Sequence, residues 1–233
     1  MSTINQRPVS NTPIAYGLMS LSPTMGVING MEVALEFEGA LIEGNRKSIL
    51  GVTDVSCFAS FGIKGTEAAS WLMSQSIQIP MNRNTWVEHE GYLVLRLGGS
   101  EFLIEGQYSE DQYSHEIFEK LARFNQATVA GVYKVQRADA AFILSGSEVL
   151  NMLSELCMLD LRDSALASNT LVMTQLASIS AILLRHQLNG EQVYRVWCDG
   201  TYGAYMWNML LEVARELGGG AVGLASHFRG THK

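Results

Sequence analysis

The chain has 233 residues, which suits one large domain or two small ones. With 47% hydrophobic and 17% charged residues, it has ample apolar material for a core, and its composition excludes global disorder. Its formal net charge of −7 argues against a nucleic-acid-binding protein, which needs a basic surface.

The N-terminal segment, residues 1–50, predicts an arm and a first strand. Residues 1–30 are rich in proline and show no period, so we expect an extended arm packed on its own domain. An arm that docks on another subunit is the alternative, because the methionine side chains found here adapt to such surfaces. Residues 31–37 predict a strand, and the charged, glycine-bearing residues 38–47 predict a loop.

Residues 51–130 predict a first α+β half. Apolar residues alternate strictly from Val55 to Ile63, which is typical of a strand. Ser109-x-x-Gln112 is a capping box that opens a helix with an apolar stripe. The predicted elements, in order, are a strand at residues 55–63, a helix at 66–75, hairpin strands at 92–97 and 102–105, and a helix after residue 109.

Residues 131–217 repeat this order as a second half. The predicted elements are a strand at residues 133–144, a helix at 147–157, strands at 171–176, 179–185 and 193–198, and a helix at 201–217. Gly218 is placed to end the last helix. Residues 218–233 form a glycine-rich segment and a basic tail, which we expect to be mobile or bound to a partner.

One phrase in the sequence occurs twice. Phe61-Gly-Ile-Lys-Gly-Thr-Glu-Ala-Ala-Ser-Trp-Leu72 is followed by Phe142-Ile-Leu-Ser-Gly-Ser-Glu-Val-Leu-Asn-Met-Leu153, with Gly65 and Gly146 81 positions apart. Each copy predicts a strand that ends in a turning glycine, then a hydroxyl and a glutamate that favour a helix start. We therefore predict an α+β fold of two ferredoxin-like split β-α-β halves, related by an internal repeat.

No stretch of the sequence assembles a convincing catalytic set. The two turn glycines lack the G-x-G-x-x-G spacing, and no lysine follows them as in a P-loop, so structural turns are favoured. Glu88-His89-Glu90 could supply a general base, but neighbouring strand residues face opposite sides, so a solvated loop or edge is favoured. His227 and His232 have no carboxylate or cysteine nearby, and a metal site is not expected. We predict no catalytic residue and no metal site in this chain.

Targeting and redox features predict a cytoplasmic protein. The first residues lack an apolar signal core, and polar residues interrupt the apolar stretch 171–184, which does not suit a membrane span. Cys57, Cys157 and Cys198 are odd in number and lack metal-like spacing. They predict free core cysteines in a reducing compartment.

At Gly51-Val-Thr-Asp-Val-Ser56 and the phrase that follows, the chain resembles the glycine cleavage T-protein (aminomethyltransferase) family. Members of that family open their folate-binding region with a similar Asp-x-Ser, strand, glycine turn and helix. From about residue 50 to 217 the chain looks closer to one branch, the gamma subunit of heterotetrameric sarcosine oxidase. The segments that carry this likeness are Ile79-Pro-Met-Asn-Arg-Asn84, Leu97-Gly-Gly-Ser-Glu-Phe-Leu-Ile104, Cys157-Met-Leu-Asp-Leu-Arg162, Thr174-Gln-Leu-Ala177 with Leu184-Arg185, and Asp199-x-x-Tyr-x-x-Tyr-x-Trp207.

The sequence also departs from these families. A catalytic T-protein carries paired Asp residues in its first hairpin, one of which contacts the pterin, whereas Gly91-Tyr-Leu-Val-Leu-Arg-Leu97 has no acid. Gly99 and Phe102 stand where the gamma branch would have Pro and Trp. The resemblance therefore implies a T-protein/folate-binding-like fold without the C-terminal barrel, and no folate catalysis by this chain alone.

By resemblance, the chain is a non-catalytic gamma-type subunit of a sarcosine-oxidase-like flavoenzyme complex. Its partners would be larger flavoprotein subunits that carry FAD, FMN, NAD and tetrahydrofolate, with no nucleic acid or membrane. A third possibility, that the isolated chain only self-associates, is left open. The alternative is a free-standing folate-binding protein or one-carbon transferase with a central pocket between the halves, lined by aromatic residues and a carboxylate. Its candidate folate contacts are Tyr92, Glu101, Tyr202 and Trp207.

Overall fold

The computed structural model describes residues 8–89, 91–106, 112–125, 127, 129–162 and 167–228. The strands are β1 (Ser10–Asn11), β2 (Thr24–Ile28), β3 (Met31–Glu36), β4 (Gly51–Asp54), β5 (Ser60–Lys64), β6 (Thr85–His89), β7 (Tyr92–Arg96), β8 (Glu101–Gly106), β9 (Tyr133–Val135), β10 (Asp139–Ser145), β11 (Leu171–Leu176), β12 (Ile179–Leu188), β13 (Glu191–Asp199) and β14 (Gly220–Ala221). The helices are α1 (Ala15–Leu18), α2 (Ala40–Leu50), α3 (Ala68–Ser74), α4 (Gln112–Ala122), α5 (Val149–Leu156) and α6 (Gly203–Glu216), with 3-10 turns at Gly200–Tyr202 and Leu224–Ser226.

The strands form two large sheets and one small one, so the predicted α+β class is confirmed. A six-stranded sheet has the order β11-β12-β13-β10-β4-β14, and a five-stranded sheet has the order β6-β7-β8-β5-β9. All their pairings are antiparallel except that of β14 with β4. A third sheet, β1-β3-β2, is built from the N-terminal segment.

Three apolar cores show that the molecule is layered helix–sheet–sheet–helix. Successive strand residues point to opposite faces of a sheet. Leu93 of β7 therefore lies in a core with Ile143 of β10, between the two sheets, while its neighbour Tyr92 lies in the core under α3 and α4. Phe142 of β10 lies in the third core, under α5 and α6. Leu121 of α4 and Met206 and Leu210 of α6 are thus buried against the outer faces of mostly antiparallel sheets.

The two predicted strands at residues 55–63 and 133–144 are wrong as single strands, because each segment changes sheet. β4 ends at Asp54 in the six-stranded sheet, and β5 starts at Ser60 in the five-stranded one. β9 and β10 are divided between the sheets in the same way. The Asp54 carboxylate ends β4 by accepting hydrogen bonds from the backbone N–H (3.0 Å) and the hydroxyl (2.5 Å) of Ser56. This Asx turn changes the direction of the chain, which continues into the five-stranded sheet.

The two copies of the repeated phrase adopt the same turn. Gly65 has φ +128° and Gly146 has φ +107°, and a Cβ there would lie 2.1 Å and 2.4 Å from a backbone carbonyl oxygen. Glycine is therefore required at both positions. The sheets also share a strand order, since β6-β7-β8-β5-β9 matches β11-β12-β13-β10-β4.

The predicted loop at residues 38–47 is wrong, because most of it lies in α2. The α2 carboxylate of Glu43 is fully buried and accepts hydrogen bonds from the backbone of Phe37 and from Gly223 N–H (2.8 Å). The Ser226 hydroxyl also donates to this carboxylate, at 2.8 Å, and anchors the C-terminal segment. His227 and Phe228 are consequently buried, contrary to the mobile tail we expected there.

The described part of the N-terminal arm packs on its own chain. Ile14 and Leu18 are buried, and the Thr12 hydroxyl donates to Asp54 at 2.5 Å. On the outer side, Tyr16 and Met19 are 78% and 76% exposed. The predicted capping serine, Ser109, and residues 229–233 lie outside the described residues. No described helix is long and apolar enough to cross a bilayer.

Candidate functional site: a cavity where the chain crosses between sheets

A hollow of about 930 Å³ lies beside the two segments that change sheet. This volume falls within the usual range for small-molecule sites. Its walls come from the N-terminal arm, the β2–β3 turn, the two crossing segments and α4. The lining residues include Asn11, Asn29, Phe58, Phe61, Phe118, Glu119, Arg123, Lys134, Arg137 and Asp139.

Three phenylalanine side chains and three cationic ones are among the residues that line this cavity. Lys134 places its ammonium 5.5 Å from the centre of the Phe61 ring. Arg137 donates through Nε to the Asp139 carboxylate at 2.7 Å, and burial raises the pKa of that carboxyl although Arg137 opposes the shift. On α4, Arg123 lies 3.7 Å from Glu119. The cavity thus offers aromatic faces and a net excess of positive charge in an acidic protein.

Cys57 lines the cavity without being suited to nucleophilic chemistry. Burial raises the pKa of its thiol far above the usual range, with the nearby Asp54 carboxylate acting in the same direction. A nucleophilic cysteine needs the opposite shift, since the thiolate is the reactive form. All three cysteines are buried and free, which confirms the prediction that they are core residues.

A second hollow of about 470 Å³ adjoins the first and shares Arg137 and Asp139 with it. Its remaining lining residues belong to β11, β12 and β13 of the six-stranded sheet, on the face that carries Ile182 and Trp197. The Arg137–Asp139 ion pair therefore separates two hollows along the crossing.

Buried polar contacts fix the two sheets against each other next to the cavity. Arg195 and Trp197 of β13 both donate to the Glu105 carboxylate of β8, and the Trp197 contact measures 2.5 Å. The Arg195 guanidinium also lies 5.7 Å from the centre of the Phe58 ring, which lines the cavity. Of the predicted loop or edge at Glu88-His89-Glu90, the first two residues lie in the edge strand β6, and Glu90 lies outside the described residues. Glu88 contacts His186 of the opposite sheet at 3.1 Å. These contacts join the two sheets through side chains as well as through the apolar core.

The four predicted folate contacts do not line one cavity. Tyr92 and Trp207 are fully buried in different cores, under α3 and α6 respectively. Tyr202 is exposed at the start of α6, and Glu101 is half-buried at the start of β8. That any of them contacts folate stays a prediction. Among the described residues, no group of three or more His, Cys, Asp or Glu side chains is placed to hold a metal ion.

The residues of the cavity were missed because no motif marks them. Phe58 and Phe61 were assigned to one alternating strand, and Lys134 and Arg137 to another. One signal points to the break: Arg137-Ala-Asp139 places two charges inside the predicted strand at residues 133–144. Charges inside a predicted central strand are rare unless they are paired or the strand is broken there.

A comparison of the sequence with protein families gives a match to the GCVT N-terminal domain over residues 22–228. The chain belongs to this family. Aminomethyltransferase T of the glycine cleavage system of Bartonella henselae has a similar solved structure, with a TM-score of 0.67 and 17% identity. The match covers 94% of this chain and 61% of that one, so this chain spans less than two thirds of the aminomethyltransferase.

A chain of the heterotetrameric sarcosine oxidase from Corynebacterium sp. U-96, solved in complex with pyrrole 2-carboxylate, is also similar. The TM-score is 0.59 and the identity 19%, and the match covers 76% of this chain and 91% of that one. At such identities these likenesses establish the fold. No curated protein matches the sequence. The T-protein superfamily inferred from the sequence is thereby confirmed, and the neighbours agree with a sarcosine-oxidase-gamma-like chain.

Proposed function

We propose that this chain is a non-catalytic, gamma-type subunit of a heterotetrameric sarcosine-oxidase-like flavoenzyme complex. Such a complex demethylates N-methyl amines and passes one-carbon units to tetrahydrofolate. The observation that carries the proposal is the structural likeness to a chain of heterotetrameric sarcosine oxidase, 91% of which is covered by the match at a TM-score of 0.59. The larger flavoprotein partners supply FAD, FMN, NAD and the tetrahydrofolate site in this proposal.

Three buried carboxylates make hydrogen bonds that hold the fold together, which supports a scaffolding role. Asp54 holds a turn and the N-terminal arm, Glu43 holds the C-terminal segment, and Glu105 joins the sheets. A catalytic acid or base needs a proton-accepting atom that faces the substrate. Each of these carboxylates is instead hydrogen-bonded within the fold.

The proposal extends to the architecture of the chain. Residues 51–130 and 131–217 form two ferredoxin-like halves of one repeat, flanked by an arm in residues 1–50 and a short tail in 218–233. The shared strand order of the two sheets and the matching turns at Gly65 and Gly146 support the repeat, in which β4 and β9 each pair within the sheet of the other half.

The test is a native purification of the tagged chain from its own cells, with an absorbance spectrum and a subunit count of what co-purifies. The proposal expects a stoichiometric yellow complex with larger chains that oxidises sarcosine or another N-methyl amine. Addition of the purified chain to partner subunits prepared without it should restore assembly. A colourless protein that purifies without larger chains would refute the proposal.

A second function, folate binding by the free chain, is favoured by the 930 Å³ cavity. The alternative hypothesis from the sequence requires a pocket lined by aromatic residues and a carboxylate, and Phe58, Phe61 and Asp139 line this one. Tetrahydrofolate is planar at one end and anionic at the other, which suits the phenyl faces and the Lys134 ammonium. When bound, the folate would supply the one-carbon acceptor, and the chain would orient it.

Calorimetric titration with tetrahydrofolate separates the two functions. If the cavity is a folate site, Lys134→Met weakens binding by roughly tenfold, the usual worth of one charge-assisted contact. Lys64→Met is the matched control, because Lys64 is exposed at the end of β5 and does not line the cavity. Equal weakening by both variants, or no binding at all, would count against this second function.

A further inference from the structure

The face of the six-stranded sheet beside the smaller hollow carries two ordered rows of side chains. Cross-strand pairing places Met173 opposite Ile182, and Ile182 opposite Trp197, which gives an apolar row. The pairing also places Gln175 opposite Ser180. Ala181 of β12 pairs with Cys198 of β13, and the next residue along each strand is Ser180 and Asp199, which therefore lie side by side. Asp199 is also paired with Asp139 of β10. This second row is polar.

These rows form a shelf that the rest of the described chain does not cover. The shelf consists of Met173, Gln175, Ser180, Ile182 and Asp199. All described residues that line the hollow above it come from the six-stranded sheet and the Arg137–Asp139 segment. On the same face, Leu171, Leu184 and Val193 are buried in the core between the sheets. The shelf is therefore the exposed end of a surface that is otherwise packed against a second sheet.

Charge distinguishes the possible occupants of the shelf. The carboxylate of Asp139 is paired with Arg137 at 2.7 Å. Asp199 accepts two hydrogen bonds from Thr201 on Oδ1, at 2.8 Å and 2.6 Å, and its side chain is exposed. A second copy of this chain would bring a second acidic row to the same contact, whereas a partner with a lysine or arginine beside an apolar side chain complements both rows.

Further exposed apolar side chains lie past the end of the shelf, where α5 and α6 pack on the other face of the sheet. Tyr205 of α6 donates its hydroxyl to Ala177 O at 3.3 Å, and Ala177 N–H donates to Leu156 O at 2.9 Å. These bonds hold the end of α5, the β11–β12 turn and the start of α6 together. The large apolar side chains exposed there are Met158, Leu159, Tyr202 and Tyr205.

We infer that the shelf docks a larger subunit of the proposed complex, which lays an apolar side chain over Met173 and Ile182 and a lysine or arginine beside Asp199. The inference rests on the proposed function, because it names the surface through which the chain joins that assembly. Met173 is 52% exposed, so it can lose further surface on docking without any change of fold.

The test uses the tagged chain in its own cells, with a photo-crosslinking residue in place of the exposed Gln175 and the flavin content of the purified complex as readout. A crosslink to a flavin-bearing subunit is expected. Met173→Glu should reduce the flavin recovered per chain at least about tenfold, since it places a charge in an apolar contact. Asp199→Asn keeps the oxygen that Thr201 needs, and it should weaken assembly by a smaller factor that shrinks as salt rises. Met81→Glu, on a loop outside the shelf and 90% exposed, is the matched control.

The outcomes distinguish the inference from the function on which it rests. Suppose that a yellow complex forms, that Met173→Glu recovers as much flavin per chain as the wild type, and that position 175 gives no crosslink to a flavin-bearing subunit. The inference then fails and the proposed function stands. If the wild-type chain recovers no flavoprotein, both fail. If the isolated wild-type chain sediments as a dimer and Met173→Glu makes it monomeric, the shelf pairs with a second copy and the partner assignment is wrong.

Discussion

Replacing Glu105 by alanine should destabilise the protein more than any exposed substitution, because Glu105 joins the two sheets. Glu105 and Arg195 are 2% and 1% exposed, and the same carboxylate accepts the Trp197 indole N–H. Removal of one partner of a buried ion pair costs about 3–5 kcal/mol, since the other charge stays buried without compensation. The unpaired indole N–H adds about 1–3 kcal/mol. The two costs share one cavity and are not additive, so we expect a loss of at least about 4 kcal/mol.

Urea unfolding, followed by tryptophan fluorescence and circular dichroism, measures this loss. Glu105→Gln keeps an acceptor oxygen for Trp197 and should be milder, so it serves if Glu105→Ala does not fold. Glu105→Leu combined with Arg195→Met should recover part of the stability, because apolar residues of similar size replace the buried pair at little cost while the Trp197 indole N–H stays unpaired. Asp160→Ala, which breaks the exposed Asp160–Arg162 pair, is the control and should not change the midpoint measurably. A loss below about 1 kcal/mol in Glu105→Ala, or a double variant no better than the single one, would refute the reasoning.

Two further predictions concern the tail and the turns. Burial, reinforced by Lys47 and Arg195, lowers the pKa of His227 to about 3 from 6.5, so the folded state keeps it neutral while the unfolded state binds a proton. The His227 contribution to stability should therefore fall as pH drops from about 6.5 toward 3, by up to about 1.4 kcal/mol per unit. His227→Gln should flatten that part of the urea-measured pH profile, and an unchanged slope would contradict the assignment. Gly65→Ala and Gly146→Ala should each cost at least about 2 kcal/mol, because both φ values are positive and the added Cβ meets a carbonyl oxygen. Gly44→Ala in α2 is their control, since no atom lies within 4 Å of its Cβ, and it should stabilise the helix by about 0.5–1 kcal/mol.

Elements whose signals are local could be predicted from the sequence. The β7–β8 hairpin and the helices after Gly65 and Gly146 follow from alternation, turn residues and apolar stripes. α2 could not be predicted in this way, because its buried face includes a charged residue. Glu43 is stabilised there by donors from residues 37 and 223, and the partner at residue 223 is distant in sequence. A pattern method treats such a glutamate as evidence for a loop.

The four candidate folate contacts do not lie around one pocket, for a related reason. Tyr92 and Trp207 were chosen as aromatic residues in segments that resemble a known family, but the alternation of strand and helix faces decides which core each one enters. Tyr92 points away from Leu93 and so away from the other sheet. Trp207 stacks between Phe37 and Phe142 in the core under α6. A residue type predicts that a side chain is buried, whereas sheet pairing determines where.

The change of sheet explains why the cavity and the shelf lie next to each other. Residues that pass between sheets lose their ladder partners, so their backbone groups need others. Here Val55 N–H donates to Ala141 O, and Ala138 O accepts from Gly200 N–H. These substitutes hold the two crossings together but leave a gap between the sheets, which becomes the cavity. The same crossing ends the overlap of the two sheets, and the uncovered end of the six-stranded sheet becomes the shelf. A ligand in the cavity or a partner on the shelf would therefore meet a surface created by the topology of the chain, in which the Arg137–Asp139 pair forms part of both walls.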